Sequence, residues 1–413
     1  MKVPRTINVL FLSCFAASLL VAEEKQPIIE TPPSPMDWLT GSTIKGDIRP
    51  RYEFGDQEGR DSSHAGTLRA RLGLLSGTFA GVQAFAEYEG TVTADRESYQ
   101  AASVHGLGQN KTVIADPESH ELNQLWLNFD GWIPKSTVKV GRQGINLDGQ
   151  RYVGTVAWRQ NMQTFDAVTI NSKPMDELTM IYGYFNHVDR IFGSGDINLA
   201  GQTDFEGDSH IINAAYTGLP FGKLTVFGYF FDLGNDAGDA NSNQSFGASL
   251  AGPLFSEVLK YYAEYGYQTD AFDSPLDYGA NYFHVNVSAS AKPGTAVLGY
   301  EYLGTDNGVG YKFPLATLHK FNGFADNFLA TPAGGLQDAY VSLGTNLPFG
   351  FKGTLVYHKF LSASGGNDLG DEVDAVLVKK LSENLTLLSK YAYFFSDDSP
   401  DIQRAVIQLD YKF

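Results

Sequence analysis

A 413-residue chain with net charge -17, 43% hydrophobic residues and mean hydropathy -0.19 is not an ordinary helical membrane protein. Aromatics make up 13% of it and glycine is abundant, a mixture suited to strands, turns and interfacial aromatic girdles. Cys14 is the only cysteine, which excludes a disulfide framework and a thiolate metal site.

Residues 1–22 read as a secretory signal. Lys2 and Arg5 open it, an apolar run extends from Ile7 to Ala22, and Glu23-Glu24 closes it, with cleavage expected after Ala22. A lipoprotein signal using Cys14 is the alternative; Phe11-Leu12-Ser13-Cys14 fits it poorly, because apolar sequence continues past the cysteine. Residues 23–41 read as a Pro-rich periplasmic linker, since Glu30-Thr31-Pro32-Pro33-Ser34-Pro35 favours extended, unpacked chain. Beyond it no apolar run is long enough for a membrane helix. A membrane location therefore requires a closed barrel.

Residues 42–413 carry one theme: runs of alternating apolar and polar residues separated by turns. In the first run Ile44, Gly46, Ile48, Pro50, Tyr52 and Phe54 share one parity, while Lys45, Asp47, Arg49, Arg51 and Glu53 share the other. A strand sends these sets to opposite faces, one suited to lipid and one to water. The second run repeats the pattern, with Leu68, Ala70, Leu72 and Leu74 against Arg69 and Arg71. The last alternates Ala405, Ile407, Leu409 and Tyr411 with Arg404, Gln408, Asp410 and Lys412, and stops on an outward Phe413. Short and long connections also alternate. The short ones often carry Pro and Gly, as in Leu219-Pro220-Phe221-Gly222 and Leu347-Pro348-Phe349-Gly350; the longest lie near 93–119, 144–158, 188–208 and 304–335. The expected fold is all-β: a single antiparallel transmembrane β-barrel of about 18 strands, with short periplasmic turns and long external loops, in the outer membrane of a Gram-negative-type envelope.

Charge is unevenly spread. Residues 161–413 hold 29 acidic against 14 basic residues. Much of the acid falls in expected external loops, as at Asp232, Asp236 and Asp239, a spacing that does not match an EF-hand. The base concentrates on inward parities. Lys45, Arg49 and Arg51 of the first strand, Arg69 and Arg71 of the second, Lys139, and Arg404 of the last strand form a candidate basic lumen wall along a substrate path. In a narrow pore such a patch selects anions. Equally, these cations can pair with inward Asp47, Glu53, Glu87, Glu89 and Asp410 and merely fill the lumen.

No catalytic motif stands up. The chain lacks a nucleophile elbow, a zinc-protease motif, a P-loop and a dinucleotide fingerprint, and its eight histidines are scattered. No catalytic residue, metal or cofactor is expected. Two stretches are nonetheless distinctive. One runs from Gly141-Arg142-Gln143 through Asp148, Arg151 and Trp158-Arg159-Gln160 to Phe165-Asp166; the other is His319-Lys320-Phe321-Asn322-Gly323-Phe324-Ala325-Asp326. Together they resemble the alginate export family of outer-membrane proteins. That resemblance implies an eighteen-stranded barrel and passive export of a polyuronate through an arginine-lined lumen. It singles out Arg142, Gln143, Asp148, Arg151, Trp158, Arg159 and Asp166, with His319, Lys320 and Asp326 in a long loop able to fold into the pore. Arg142 departs from the pattern: it shares the lipid-facing parity of Val138 and Val140, and so requires a bulge or a rim position.

The expected function is a passive channel for an anionic polysaccharide or oligosaccharide, alginate-like in charge. The alternative is a general or neutral-sugar porin; a barrel enzyme or an adhesin is a more distant possibility. Expected partners are outer-membrane lipid and lipopolysaccharide, the barrel-assembly machinery and an anionic glycan, with no nucleic acid.

Overall fold

The computed structural model describes residues 35–101, 110–193, 203–234 and 238–413. The signal at 1–22, most of the linker and Asp236 lie outside them. The end of the linker forms a short helix, α1 (Pro35–Thr40), rather than extended chain. Proline suits a first helical turn, where its missing N–H is no loss. The Trp38 carbonyl accepts the Gly77 N–H at 2.9 Å, tying α1 to the first periplasmic turn.

The strands follow in order: β1 (Thr43–Gln57), β2 (Ser63–Leu75), β3 (Val82–Thr93), β4 (Ser119–Ile133), β5 (Ser136–Gln143), β6 (Thr164–Met175), β7 (Leu178–Asp189), β8 (Asp204–Leu219), β9 (Gly222–Phe231) and β10 (Asn243–Leu254). Then come β11 (Ser256–Asp270), β12 (Gly279–Ala291), β13 (Gly294–Leu303), a small hairpin β14 (Thr305–Asp306) and β15 (Val309–Gly310), β16 (Leu336–Asn346), β17 (Lys352–Leu361), β18 (Asp368–Lys380), β19 (Leu385–Phe395) and β20 (Ile402–Lys412). All but β14 and β15 join one 18-stranded sheet. Each barrel strand pairs antiparallel with the next, and β20 pairs with β1, so the sheet closes and leaves no edge. The expected barrel and its strand number are observed.

The alternation in sequence is the alternation of faces. Ile44, Ile48, Tyr52, Leu68, Leu72 and Leu74 are exposed on the outside, whereas Arg49, Arg51, Glu53 and Arg69 are buried inside. An outward apolar belt around a polar interior is what a bilayer demands of a barrel. Loops sort by end, as expected: residues 134–135, 176–177, 220–221 and 292–293 are tight turns at one end, while 94–101, 110–118, 144–163 and 304–335 lie at the other. At the closing seam the Gly46 and Phe413 backbones exchange two hydrogen bonds, of 2.8 and 3.0 Å. The Phe413 ring covers the outer side of Gly46, where a Cβ would collide with it.

Two outcomes follow for the barrel wall. Leu68→Arg, near mid-belt, should cost about 2–4 kcal/mol in reversible unfolding from lipid vesicles, while His64→Arg, near the extracellular rim, should cost at most about 1 kcal/mol. Equal costs would mean that the belt is misplaced. Removing Phe413 should uncover Gly46, weaken the β1–β20 seam and lower the yield of heat-modifiable folded barrel; an unchanged yield would count against the seam's role.

Candidate functional site: a septum across the lumen

Two long loops, and the segment of a third around Asp116, turn inward instead of standing above the barrel. Residues 144–163 run along the β1–β9 half of the wall and residues 304–335 along the β11–β20 half. They meet in the middle. The Gly154 N–H donates to the Leu315 carbonyl at 2.9 Å, and the Thr317 N–H to the Gln150 carbonyl at 3.0 Å. Val153 and Leu315 form a parallel bridge, and the Val156 N–H donates to Thr317 Oγ1 at 3.1 Å. The result is a septum that spans the lumen from wall to wall.

Two kinds of contact hold it. On one side the aromatic side chains of β6 to β12 form a core with the loops. Tyr152 packs on Phe227, Tyr229 and Phe313, with ring centroids 4.7–5.2 Å apart, and Tyr311 packs on Tyr282 at 5.4 Å. Burying each such ring contributes about 1.5–3 kcal/mol. Arg151 enters this core, paired with Glu301 at 2.9 Å and lying over the rings of Phe313 and Phe321 at 3.9 and 4.5 Å. Its guanidinium also donates to Asn322 Oδ1 at 3.0 Å, and the Asn322 amide donates to Glu301 and Asp338.

On the other side an ionic network forms. Arg159 reaches Glu53 of β1 at 3.1 Å and Asp326 of the second loop at 2.8 Å. Asp116, from the third inward segment, pairs with Arg51 at 3.0 Å, lies 3.8 Å from Arg159, and accepts the Gln160 N–H at 2.8 Å. Burial opposes its charge, but Arg51 and Arg159 hold the Asp116 carboxyl below the usual carboxylate range. Trp158 stacks on His319 with centroids 4.3 Å apart, and Phe324 covers the same imidazole at 5.2 Å. His319 Nδ1 donates to Asp326 at 2.7 Å, while its Nε2 accepts from Lys390 of β19 at 3.0 Å. Burial, reinforced by Lys390 and Arg159, pushes His319 down to about 3 against the pull of Asp326, so the imidazole is neutral. Burial also disfavours the Asp326 charge, but His319, Arg159 and Arg404 more than offset that and keep it ionised.

Each anticipated residue can now be placed. Arg49 pairs with Asp410 at 2.6 Å and donates to the Ala157 carbonyl at 2.9 Å. Arg51 donates to Gln408 and to the Trp158 carbonyl. Arg69 pairs with Asp47, Arg71 with Glu89, and Arg404 with Glu53 at 3.4 Å. Glu87 instead accepts from Asn123 and Gln124. Lys45 is exposed near the periplasmic mouth, and Lys139 lies over Trp126 at 4.3 Å. The basic side chains of β1, β2 and β20 are thus gathered on one sector of the wall, where most clamp the septum.

The two motif stretches meet in the septum. Gln143 is buried in the wall, accepting from Thr169 at 3.0 Å. Asp148 accepts from Asn213 and Tyr229, not from an arginine. Lys320 Nζ donates to the Gly149 carbonyl at 2.8 Å. Gly323 has φ +89 and backs directly onto Glu372, leaving no room for a Cβ. Arg142 stays on the outward face at the extracellular rim, bidentate to Asp166 at 2.8 Å and paired with Asp189 at 2.6 Å. The preceding Gly141, at φ +118, sits against the Leu125 carbonyl. Sequence reasoning missed Lys390 and the acidic sector of Glu264, Glu301, Asp338, Glu372 and Asp374, all buried on inward faces of β11 to β18. Their inward parity was readable, but nothing marked them among many similar acids.

A closed, edgeless barrel with an apolar belt and an inward-folded septum is an outer-membrane barrel of the channel-forming type. Residues 42–181, about a third of the chain, match the model of the alginate export family. The His319 stretch lies outside the matched span. A search of the curated proteins finds no match to this chain. Among solved structures, Acinetobacter baumannii OccAB4 is similar at TM-score 0.68 and 15% identity, over 90% of this chain and 98% of that one. Pseudomonas aeruginosa OccK9 (OpdG) is similar at 0.70 and 15%, over 91% and 99%. OpdK of the same organism, solved with vanillate, is similar at 0.68 and 14%, over 91% and 99%. At these identities the likeness is one of fold.

Arg159→Ala should release the septum but not the barrel. It strands Glu53, Asp116 and Asp326, a loss of about 3–5 kcal/mol for a broken buried pair. Planar-bilayer conductance should rise while heat-modifiable migration persists; unchanged conductance would mean that the septum does not limit flow. Acid should act in the same direction. His319 titrates near 6.5 when free and about 3 when packed, so the packed state keeps its full advantage above about pH 6.5. That advantage is lost progressively as pH falls toward 3. Open-channel fluctuations should therefore increase on acidification, and His319→Gln should flatten the change.

Proposed function

We propose that this barrel is a passive channel for anionic saccharides of the uronate type. The observation that carries the reading is the gathering of Arg49, Arg51, Arg69, Arg71, Arg404 and Lys390 on one sector of the lumen, formed by β19, β20, β1 and β2. A pore is crossed when solute binding is favourable enough to enter and weak enough to leave. Arginines already partnered by carboxylates suit that requirement, since an incoming carboxylate competes with a resident one rather than meeting a bare charge. The more accessible cations, Lys45, Lys139 and Lys320, supply weak steps on either side. The family's name and the carboxylate in the OpdK structure support a carboxylate-bearing solute. No covalent chemistry is needed for this role.

A second reading has its own observation. The acidic sector of Glu264, Glu301, Asp338, Glu372 and Asp374 adjoins the basic one, and a lumen with both signs is weakly selective. That pattern fits a general porin for short, neutral or mixed-charge solutes. A septum also favours short oligomers over a long polymer, unless the loops move aside.

Reversal potentials across salt gradients separate the two readings. A uronate channel should prefer anions despite the net charge of -17, because external acids are screened by bulk salt with a Debye length of about 8 Å. Lys139→Gln combined with Lys320→Gln should weaken block by uronate oligomers about fivefold per charge, taking about 1 kcal/mol for a close pair in water. Cation preference, or block indifferent to these changes, would overturn the uronate reading and leave the porin one.

A further inference from the structure

We propose that His187, Asp204 and Glu206 form a binding site for a divalent transition-metal ion on the outward face of β7 and β8, at the extracellular end of the barrel. The site lies apart from the lumen and takes no part in the septum.

Its construction follows from strand periodicity. His187 and Asp189 are two apart on β7, and Asp204 and Glu206 are two apart on β8, so each pair shares a face. The register sets His187 opposite Glu206 and Asp189 opposite Asp204. The intervening Val188 and Phe205 are buried on the inner side, which puts all four polar side chains outside. A bulge between Phe185 and His187 produces this register. Bulges commonly re-aim side chains at strand ends.

The orientation of the imidazole is the decisive detail. His187 Nε2 lies 3.2 Å from Asp189 Oδ1 and donates to it, and Asp189 is itself fixed by Arg142 at 2.6 Å. The neutral tautomer so selected leaves Nδ1 as a lone-pair donor. Nδ1 lies 3.9 Å from Asp204 Oδ2 and 3.9 Å from Glu206 Oε1. Neither distance is a hydrogen bond. One nitrogen and two carboxylate oxygens fall within 4.8 Å of one another. Donors held about 2.0–2.1 Å from a shared tetrahedral ion stand about 3.4 Å apart, so a small side-chain rotation closes the site. A carboxylate orienting the far nitrogen of a ligating histidine is the usual support of such sites.

Donor chemistry selects the ion. Imidazole with two carboxylates suits zinc and its neighbours, whereas calcium and magnesium prefer six or more oxygens. Three protein ligands leave a coordination position open. An open depression of about 520 Å³, lined by Arg142, Asp166, His187 and Glu206, adjoins them and has room for water or an external anionic oxygen. The competing account is a protonated His187 simply paired with its carboxylates.

Zinc titration of the chelator-stripped, detergent-purified full barrel, followed by calorimetry, decides between them. One saturable zinc per chain at micromolar concentration, not displaced by millimolar calcium, is expected. His187→Ala should abolish it. Asp189→Asn, which keeps all three ligands, should weaken it about 10–100-fold. Glu206 is exposed, so Glu206→Gln leaves folding intact and should also weaken binding. Heat-modifiable migration verifies that each variant is folded. Absence of saturable binding to the wild-type barrel, or equal binding by wild type and His187→Ala, would overturn the proposal.

Discussion

The contact on which the lumen's architecture depends is the buried pair of Arg159 and Asp326, 167 residues apart in sequence and 2.8 Å apart in space. It joins the two crossing loops on the ionic side, and both partners are also tied to the wall. Arg159 reaches Glu53 of β1, and Asp326 lies 4.0 Å from Arg404 of β20. Two loops that must turn back into a barrel give up conformational freedom and the hydration of their polar backbone. The aromatic core around Tyr152 offsets part of that on one side. The other side faces a charged wall, where a docking charge must meet one of opposite sign.

A buried ion pair is a poor source of net stability, since desolvation consumes most of the Coulomb gain. Breaking one is nevertheless expensive, because the orphaned charge stays buried. That asymmetry suits a septum. The arrangement gains specificity of register: Trp158 must meet His319, and Gln160 must meet Asp116, or several charges lose their partners at once. Gly323 adds a steric condition, because the chain passes Glu372 too closely for any side chain.

The barrel was legible in the sequence because its signal is local and repeated. Period-two alternation put Arg49 and Ile48 on opposite faces without reference to any other strand, and tight turns such as Leu347-Pro348-Phe349-Gly350 marked one end. The septum was only half legible. Arg151, Arg159, His319 and Asp326 stood out as motif residues, but period two assigns a face and not a depth or a partner. Nothing local to Asp148 says that it meets Asn213 and Tyr229. Lys390 was invisible for the same reason: its role comes from lying beside Trp158 and Phe324, at 3.8 and 4.0 Å from their rings, and both belong to loops remote in sequence.

Arg142 shows how one motif can serve two places. Its neighbour Gln143 points inward and anchors the start of the septum loop, while Arg142 points outward and organises Asp166 and Asp189 at the rim. Adjacent residues on a strand must face opposite ways, so a G-R-Q run at a strand end necessarily links lumen and outer surface. Gly141 makes that possible by accepting φ +118 against the Leu125 carbonyl, which sets the strand end close to β4. The outward cluster and the first residues of the septum loop are therefore joined by three consecutive residues, Gly141, Arg142 and Gln143, that face alternately across the wall.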